Sequence, residues 1–271
     1  MRANTGFVVS GNAAQLYHAN MVPSIFGPFA EGLMGIAAPQ AGENVLDAAC
    51  GTGVLACLAG RGIGNSGRVV GLDVNSQMLN VARETAASEG LSIEWAERDI
   101  SNTEFADGEF DLIVCQQGLQ YFPDKERAFV EVRRVLGANG RLVFSVWRPI
   151  EFNPGYLVFA QVLEQLVSQE AGANRRAPFL FSNKAAIRDL VSGAGFGSVQ
   201  ILLDVRVCRF ASAEAMIHIM INGTPLEPLM RNVEREVMNQ VIRKVTDELV
   251  DYVDDRGLAF PMQTWVVIAR P

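Results

Sequence analysis

The sequence holds only two histidines, and its four cysteines (Cys50, Cys57, Cys115 and Cys208) fall into no paired metal-binding or redox spacing. No metal cluster and no Ser-His-Asp grouping can be read from it, which sets hydrolases and metalloenzymes aside. No uninterrupted apolar run is long enough to span a bilayer, so no membrane partner is expected. The opening Met1-Arg-Ala-Asn-Thr-Gly-Phe7 lacks the charged and apolar regions of a signal peptide. A basic stripe is also missing. The net charge is −7, and Arg175-Arg176 and Arg243-Lys244 are isolated pairs that read as solvated, which argues against a nucleic-acid partner. There is no internal repeat and no low-complexity linker.

What remains is a globular composition, 49% hydrophobic against 20% charged, in 271 residues. The cysteines sit in apolar surroundings, as small core residues of a reducing compartment do. A cytoplasmic protein is expected, as a single domain spanning 1–271.

The organising stretch is Asn44-Val-Leu-Asp-Ala-Ala-Cys-Gly-Thr-Gly53. Val45, Leu46, Ala48 and Ala49 form the short apolar run of a strand buried on both faces. The Gly51-Thr52-Gly53 turn follows, and a helix begins at Val54. Glycines placed between strand and helix allow a tight turn and leave bare backbone for a ligand. The spacing Gly51-x-Gly53-x-x-Ala56 satisfies a loose dinucleotide fingerprint, a weak signal by itself. Asp47 tells against that reading, because a carboxylate beside the turn would repel a pyrophosphate yet suits an ammonium or sulfonium. About twenty residues on, Arg68-Val-Val-Gly-Leu-Asp73 closes a second strand with an acid placed to grip a ribose diol. A cationic nucleoside without phosphates meets both demands, and S-adenosylmethionine is such a molecule.

With these motifs the sequence resembles the class I S-adenosylmethionine-dependent methyltransferases, and most closely their small-molecule branch of ubiquinone/menaquinone-biosynthesis type. The resemblance rests on Val45–Gly53, Gly71-Leu-Asp-Val-Asn-Ser-Gln-Met78, Arg98-Asp-Ile100, Phe110–Gly118, Phe122-Pro-Asp124 and Gly140–Trp147, in that order. Gly11–Tyr17 and Met21-Val-Pro23 look like the lead-in helix of part of that branch. Gln120 departs from the pattern, standing where many relatives carry a histidine, and leaves the identity of any base open.

The resemblance implies a cofactor site made of Tyr17, Asp47, Ala48, Gly51, Thr52, Gly53, Asp73, Val74, Met78, Asp99, Ile100, Gln116 and Gln117. In the family the Asp99-Ile100 pair holds the adenine, the residue at Met78 touches the same ring, and a tyrosine at position 17 reaches the site as the arm closes. Other readings of these residues stay open: Asp99 as an ordinary helix cap, Met78 as core.

In order along the chain, residues 1–40 read as a helical arm. Ser10 and Asn12 are candidate caps, Pro23 stops the first helix, and a second runs from Pro28 to Ala38. Strands follow at 44–49, 68–73, 92–96, 110–116 and 141–147, with helices at 53–62, 75–89 and 124–136. The alternation gives an α/β, doubly wound Rossmann-like sheet. The core occupies 41–150, with 183–210 and 259–271 completing it. The resemblance implies that the last strand, Met262–Ala269, is antiparallel, which separates the fold from a nicotinamide-binding sheet. Segments 151–182 and 211–258 read as helical caps over the acceptor, with Phe179, Leu180, Phe181, Met216, Ile217, Ile219, Met220 and Ile221 as an apolar roof.

The function expected is methyl transfer from S-adenosylmethionine to a small, mainly apolar acceptor by in-line displacement. Orientation supplies the main effect, so no metal and no covalent nucleophile are needed. Gln117, Gln120 and Tyr121 are the polar groups expected to face the acceptor. His218, in an apolar helix, reads as packed, and His18 stays open between site and surface. A nicotinamide-dependent oxidoreductase and a non-catalytic cofactor-binding protein are the competing classes. A homodimer is left open.

Overall fold

The computed structural model describes residues 12–271, so the expected cap at Ser10 lies outside the described residues. The arm is one continuous helical run: α1 (Ala13–Leu16), a π-helical stretch Tyr17–Phe26, and α2 (Gly27–Ala37). Pro23 therefore does not stop a helix; it sits inside the π-helical stretch. A proline is excluded from an α-helix because it lacks the N–H needed for the i→i−4 ladder. Here the ladder is already shifted, as where Gly27 N–H reaches Val22 O, five residues back.

The rest alternates. β1 (Asn44–Ala48), α3 (Val54–Ile63), β2 (Arg68–Asp73), α4 (Ser76–Ser88), β3 (Glu94–Glu97), β4 (Phe110–Gln116), α5 (Lys125–Val135) and β5 (Leu136–Trp147) build the first half. After it come α6 (Pro154–Leu166), α7 (Gln169–Arg176), α8 (Lys184–Gly193), β6 (Ser198–Phe210), α9 (Ala213–Asn222), α10 (Glu227–Met230), α11 (Arg235–Glu248), the two-residue β7 (Val253–Asp254) and β8 (Gly257–Arg270). α6 and α7 are separate helices, because the Ser168 side chain accepts from Ala171 N–H and starts α7 anew. Asn183 caps α8, accepting from Ala185 and Ala186 N–H.

The sheet runs β3-β2-β1-β4-β5-β8-β6, with β7 paired to β8. β1 to β5 pair in parallel, and β8 is antiparallel to both β5 and β6. The chain moves outward from β1 to β3 and then returns to place β4 on the other side of β1. Ligands gather outside the carboxyl ends of strands at such a reversal.

One face of the sheet is covered by α2 and α3, where Leu33, Leu55 and Ala59 meet Val45, Val114 and Val143. On the other face Phe129, Val132, Ile187 and Val191 of α5 and α8 pack on Phe110, Ile113 and Phe144. Arg141 of β5 ties the end of α2 to the sheet, donating to Ala37 O and Glu43 Oε1 at 2.8 and 2.6 Å. That guanidinium holds the Glu43 carboxyl below its usual value.

A third cluster joins the arm to the later helices: Met21, Ile25 and Phe29 pack with Trp147, Phe159, Met216, Ile217, Met220, Val241 and Val245. Met216, Ile217, Met220 and Ile221 are core residues here, and Leu180 points to solvent at 81% exposure. The apolar pattern marked burial correctly but could not say what would be buried against it. His218 is exposed and faces Glu214 at 3.8 Å, so the packed position expected for it is not what forms.

Candidate cofactor-binding site

At the carboxyl edge of β1, β2, β4 and β5 lies a cavity of about 450 Å³, open to solvent. Two turns form its floor. Gly51 and Gly53 adopt φ of 54° and 81°, values that favour glycine. A side chain on Gly53 would also strike Trp95 at 2.7 Å, whereas around Gly51 nothing lies within 4 Å of that position. Gly51 thus presents open backbone to the cavity.

Asp73 joins the two turns. Its Oδ2 accepts from Gly51 N–H at 2.8 Å and its Oδ1 from Asn75 N–H at 2.9 Å. Burial raises its carboxyl above the usual carboxylate value against the pull of those N–H donors. Beside it stand Val74, Met78, Asp99 and Ile100, all on the cavity wall. Asn75 caps α4 by accepting from Gln77 and Met78 N–H, which fixes Met78 on the inward turn. Asp99 accepts from Ser101 N–H and Oγ–H, both at 2.7 Å and both through Oδ1.

The arm forms the opposite wall. Tyr17 stacks on Phe26 with centroids 5.1 Å apart, and Phe26 leans on Trp147 at 6.3 Å. All three rings line the cavity. Gln116, at the end of β4, donates Nε2–H to Phe26 O at 2.8 Å and so fastens the arm to the sheet. Burial, with Tyr121, Tyr156 and Asp73 nearby, holds the Tyr17 hydroxyl well above its ordinary value.

Gln117 follows at φ 48°, a left-handed conformation uncommon for a residue with a side chain. Ser145 Oγ donates to its Oε1 at 2.9 Å, and its Nε2 is buried with no hydrogen-bond partner among the described residues. The side chain is 4% exposed and lines the cavity. A buried amide donor left open in this way is uncommon, since buried polar groups are almost always hydrogen-bonded. Gln120, Tyr121 and Phe122 continue that side.

Four expected residues stand behind the wall. Asp47 is 1% exposed and its Oδ2 accepts from Ala56 N–H at 2.9 Å, so it faces the start of α3. Ala48 is buried in the sheet. Thr52 is buried beneath the arm, where its Oγ1 meets His18 Nδ1 at 3.0 Å, and Gly53 abuts Trp95. The sequence analysis missed Phe26 and Trp147. Trp147 ends a strand on the same rim as Gln116, a signal the strand-end rule contains. Phe26 carried none, since its position depends on the π-helical turn.

It also misread Arg175, taken as solvated. The side chain is 4% exposed, donates to Asn174 Oδ1 at 2.7 Å, and has no carboxylate within ion-pair distance among the described residues. Arg176 pairs with Glu164 instead.

This arrangement suits a cationic nucleoside: a buried acid at a glycine turn, a second acid with apolar neighbours where a base would lie, and no phosphate cradle. One family model, described as a methyltransferase domain, matches residues 45–140. The demethylmenaquinone methyltransferase of Thermus thermophilus is 36% identical over 171 residues, which cover 59% of this chain and 77% of that protein. The chain belongs to the class I S-adenosylmethionine-dependent methyltransferases.

This methyltransferase is also 28% identical over 221 residues to nocamycin O-methyltransferase of Saccharothrix syringae, covering 78% of this chain and 79% of the relative. A solved S-adenosylmethionine-dependent methyltransferase from Aquifex aeolicus shares the fold at a TM-score of 0.52 and 17% identity, over 74% of this chain and 92% of its own. S-adenosylmethionine is the cofactor, and the nicotinamide-dependent and non-catalytic readings give way.

Asp47 permits a test that separates stability from binding. Burial raises its carboxyl well above the usual value. Its contribution therefore favours the fold below the unfolded value of about 3.9 and is lost as pH rises through the folded value. Asp47→Asn keeps an acceptor for Ala56 N–H and removes that titration. Calorimetry at pH 7 is expected to show melting no lower than in the parent, with donor affinity several-fold weaker. A lower melting temperature with unchanged affinity would make the acid purely structural.

Proposed function

We propose that the enzyme transfers the donor's methyl group by in-line displacement to a small, mainly apolar acceptor. The observation that carries this reading is the cavity wall itself: the rings of Tyr17, Phe26 and Trp147 on the arm side and of Phe122 on the other, broken by the open Gln117 amide. Asp73 would hold the ribose diol, with Gly51 backbone beside it and Met78, Asp99 and Ile100 around the adenine. The roles of Asp47, Thr52 and Gly53 would be indirect, shaping the turn from behind. When bound, the donor supplies an electrophilic methyl on a sulfonium whose departure leaves a neutral sulfide.

The chain's own part is orientation. Holding reactants in an attack geometry contributes up to roughly 7–11 kcal/mol. Gln117 and Tyr121 offer the acceptor hydrogen bonds from an otherwise apolar wall. Burial pushes the Tyr121 hydroxyl up to about 12, so it keeps its proton at neutral pH and acts as a donor. The two histidines stand off the cavity. The acceptor atom then arrives with an available electron pair, or loses its proton to water as the bond forms. The names of the relatives include a demethylmenaquinone enzyme and an O-methyltransferase, both in keeping with an apolar acceptor.

We read 12–40 as an arm that closes the donor site, residues 1–11 of the expected arm lying outside the described residues, 41–150 with 183–210 and 259–271 as the core, and the helices of 151–182 and 211–258 as a brace behind the arm. No described helix is long and apolar enough to cross a membrane. The four cysteines are free and buried, which fits a reducing cytoplasm.

A labelled-donor screen across phenols, quinols, amines and small acids tests the acceptor class. RNA or a polyphosphorylated metabolite as the best acceptor would overturn it. Tyr121→Phe is expected to lower kcat about tenfold, the loss of one hydrogen bond of about 1.4 kcal/mol, with donor binding intact. Unchanged kinetics would remove Tyr121 from the acceptor site.

A further inference from the structure

Among the described residues β6 is the outermost strand of the sheet on its side, and over all thirteen of its residues its only strand partner is β8. Its pairing to β8 runs from Ser198↔Arg270 to Phe210↔Leu258 with no shift in register. A strand edge of this length is an invitation to pair with another chain. Monomeric proteins blunt such edges with charged side chains, lysines above all, or with prolines, bulges or a covering segment; the charges of β6 are already paired, Asp204 with Arg206 and Arg209 with Asp254. The sequence of β6, Ser-Val-Gln-Ile-Leu-Leu-Asp-Val-Arg-Val-Cys-Arg-Phe, contains neither lysine nor proline, and its register contains no bulge.

Its side chains add a second observation. Leu203, Val205 and Val207 alternate along one face and are 51%, 46% and 58% exposed. Three large apolar residues in a row on an outermost strand leave apolar area in water that a partner would remove. The intervening residues, Asp204 and Arg206, lie on the other face. They pair with each other at 3.0 Å, and Arg206 runs across α2 at Gly32.

The order of these residues selects the occupant. Consider two copies of β6 set antiparallel about a two-fold axis through Val205. Leu203 of each strand then lies opposite Val207 of the other, and Asp204 opposite Arg206, twice over. Moving the axis by one residue sets Asp204 against Asp204 or Arg206 against Arg206, which is unfavourable for cross-strand neighbours. Half-residue shifts turn the apolar face of one strand onto the charged face of the other. A strand that matches itself in apolar contacts and in charge, in one register, is complementary to a second copy of the same chain. An isologous contact of this kind closes after two subunits.

We propose that the enzyme is a two-fold dimer joined by antiparallel pairing of β6 through Val205, making one sheet continuous across both subunits. The contact lies on the sheet edge, away from the cavity, and β6 also packs on α2 of the arm. The proposal does not depend on the acceptor.

The test uses the full chain. Sedimentation equilibrium is expected to give twice the 29.5 kDa subunit mass at micromolar concentration. Asp204→Arg sets arginine against arginine, and Arg206→Asp sets aspartate against aspartate. Each should weaken the dimer at least roughly tenfold, an effect of about 1.4 kcal/mol. The double exchange D204R/R206D restores opposite charges and should restore the dimer. Val205→Lys should give a monomer whose circular dichroism and donor affinity match the parent. A monomer at all concentrations, or a dimer untouched by Val205→Lys and by both single exchanges, would overturn the proposal. Failure of the double exchange to recover a dimer lost in both single exchanges would overturn the register through Val205.

Discussion

Replacing Asp73 by alanine is expected to weaken S-adenosylmethionine binding by roughly tenfold to more than a hundredfold. The carboxylate holds Gly51 N–H and Asn75 N–H at once, and it is the acid proposed to take the ribose hydroxyls. Hydrogen bonds to a charged group contribute about 1.5–3 kcal/mol each, and each 1.4 kcal/mol is tenfold in affinity. Alanine also leaves two backbone donors without their acceptor, so the glycine turn loses its shape together with its charge. Asp73→Asn separates these effects, since it retains one acceptor oxygen for the turn while the charge is gone. An intermediate affinity is expected for it. Titration calorimetry decides the matter, and parental affinity in the alanine variant would remove Asp73 from the donor site.

Removing residues 1–22 should have the second large effect, a loss of turnover of at least about a hundredfold. Tyr17, one wall of the cavity, goes with them, and so does Met21 from the core behind it. Losing a buried methionine costs about 2–5 kcal/mol, so the truncated protein should melt earlier while keeping a single cooperative transition. Its donor affinity should fall as well. Tyr17→Ala provides the control, because it opens the cavity wall and leaves Met21 and Ile25 in place. It should lose donor affinity with a far smaller change in melting. If the truncated enzyme turned over at the parental rate, the arm would be packing alone.

Much of this arrangement could be read from the sequence because its signals are local. The run Val45–Ala49, the glycines after it and the acid at the end of β2 each carry their reason in a few residues. Each of those strands is buried on both faces, which leaves little choice of period. The last strand was legible as a strand, while its antiparallel direction came from the family resemblance. Where the reading failed, the deciding partner was distant in sequence. Asp47 looks toward a ligand until α3 folds back and offers Ala56 N–H. Pro23 looks like a stop until the turn around it widens. Met216, Ile217, Met220 and Ile221 form an apolar stripe whichever surface they meet, and the arm proved to be that surface. Arg175 is ordinary in a list of residues and unusual only once α7 and α9 enclose it.

The place of β8 in the sheet has a consequence for how the molecule comes into being. β8 is threaded between β5 and β6, yet it follows both in the chain and is synthesised after them. Until residue 270 has emerged, β5 and β6 have no connection through the sheet, and each shows an open side. The pairing on that flank must wait, since long-range pairings form only after the intervening chain is available. A nascent chain in that interval exposes unpaired strands of the kind that draw partners into aggregates. A chain interrupted shortly before Met262 is therefore expected to precipitate more readily than one carrying the whole of β8. Changes within residues 257–270 act on the strand that joins β6 to the rest of the sheet.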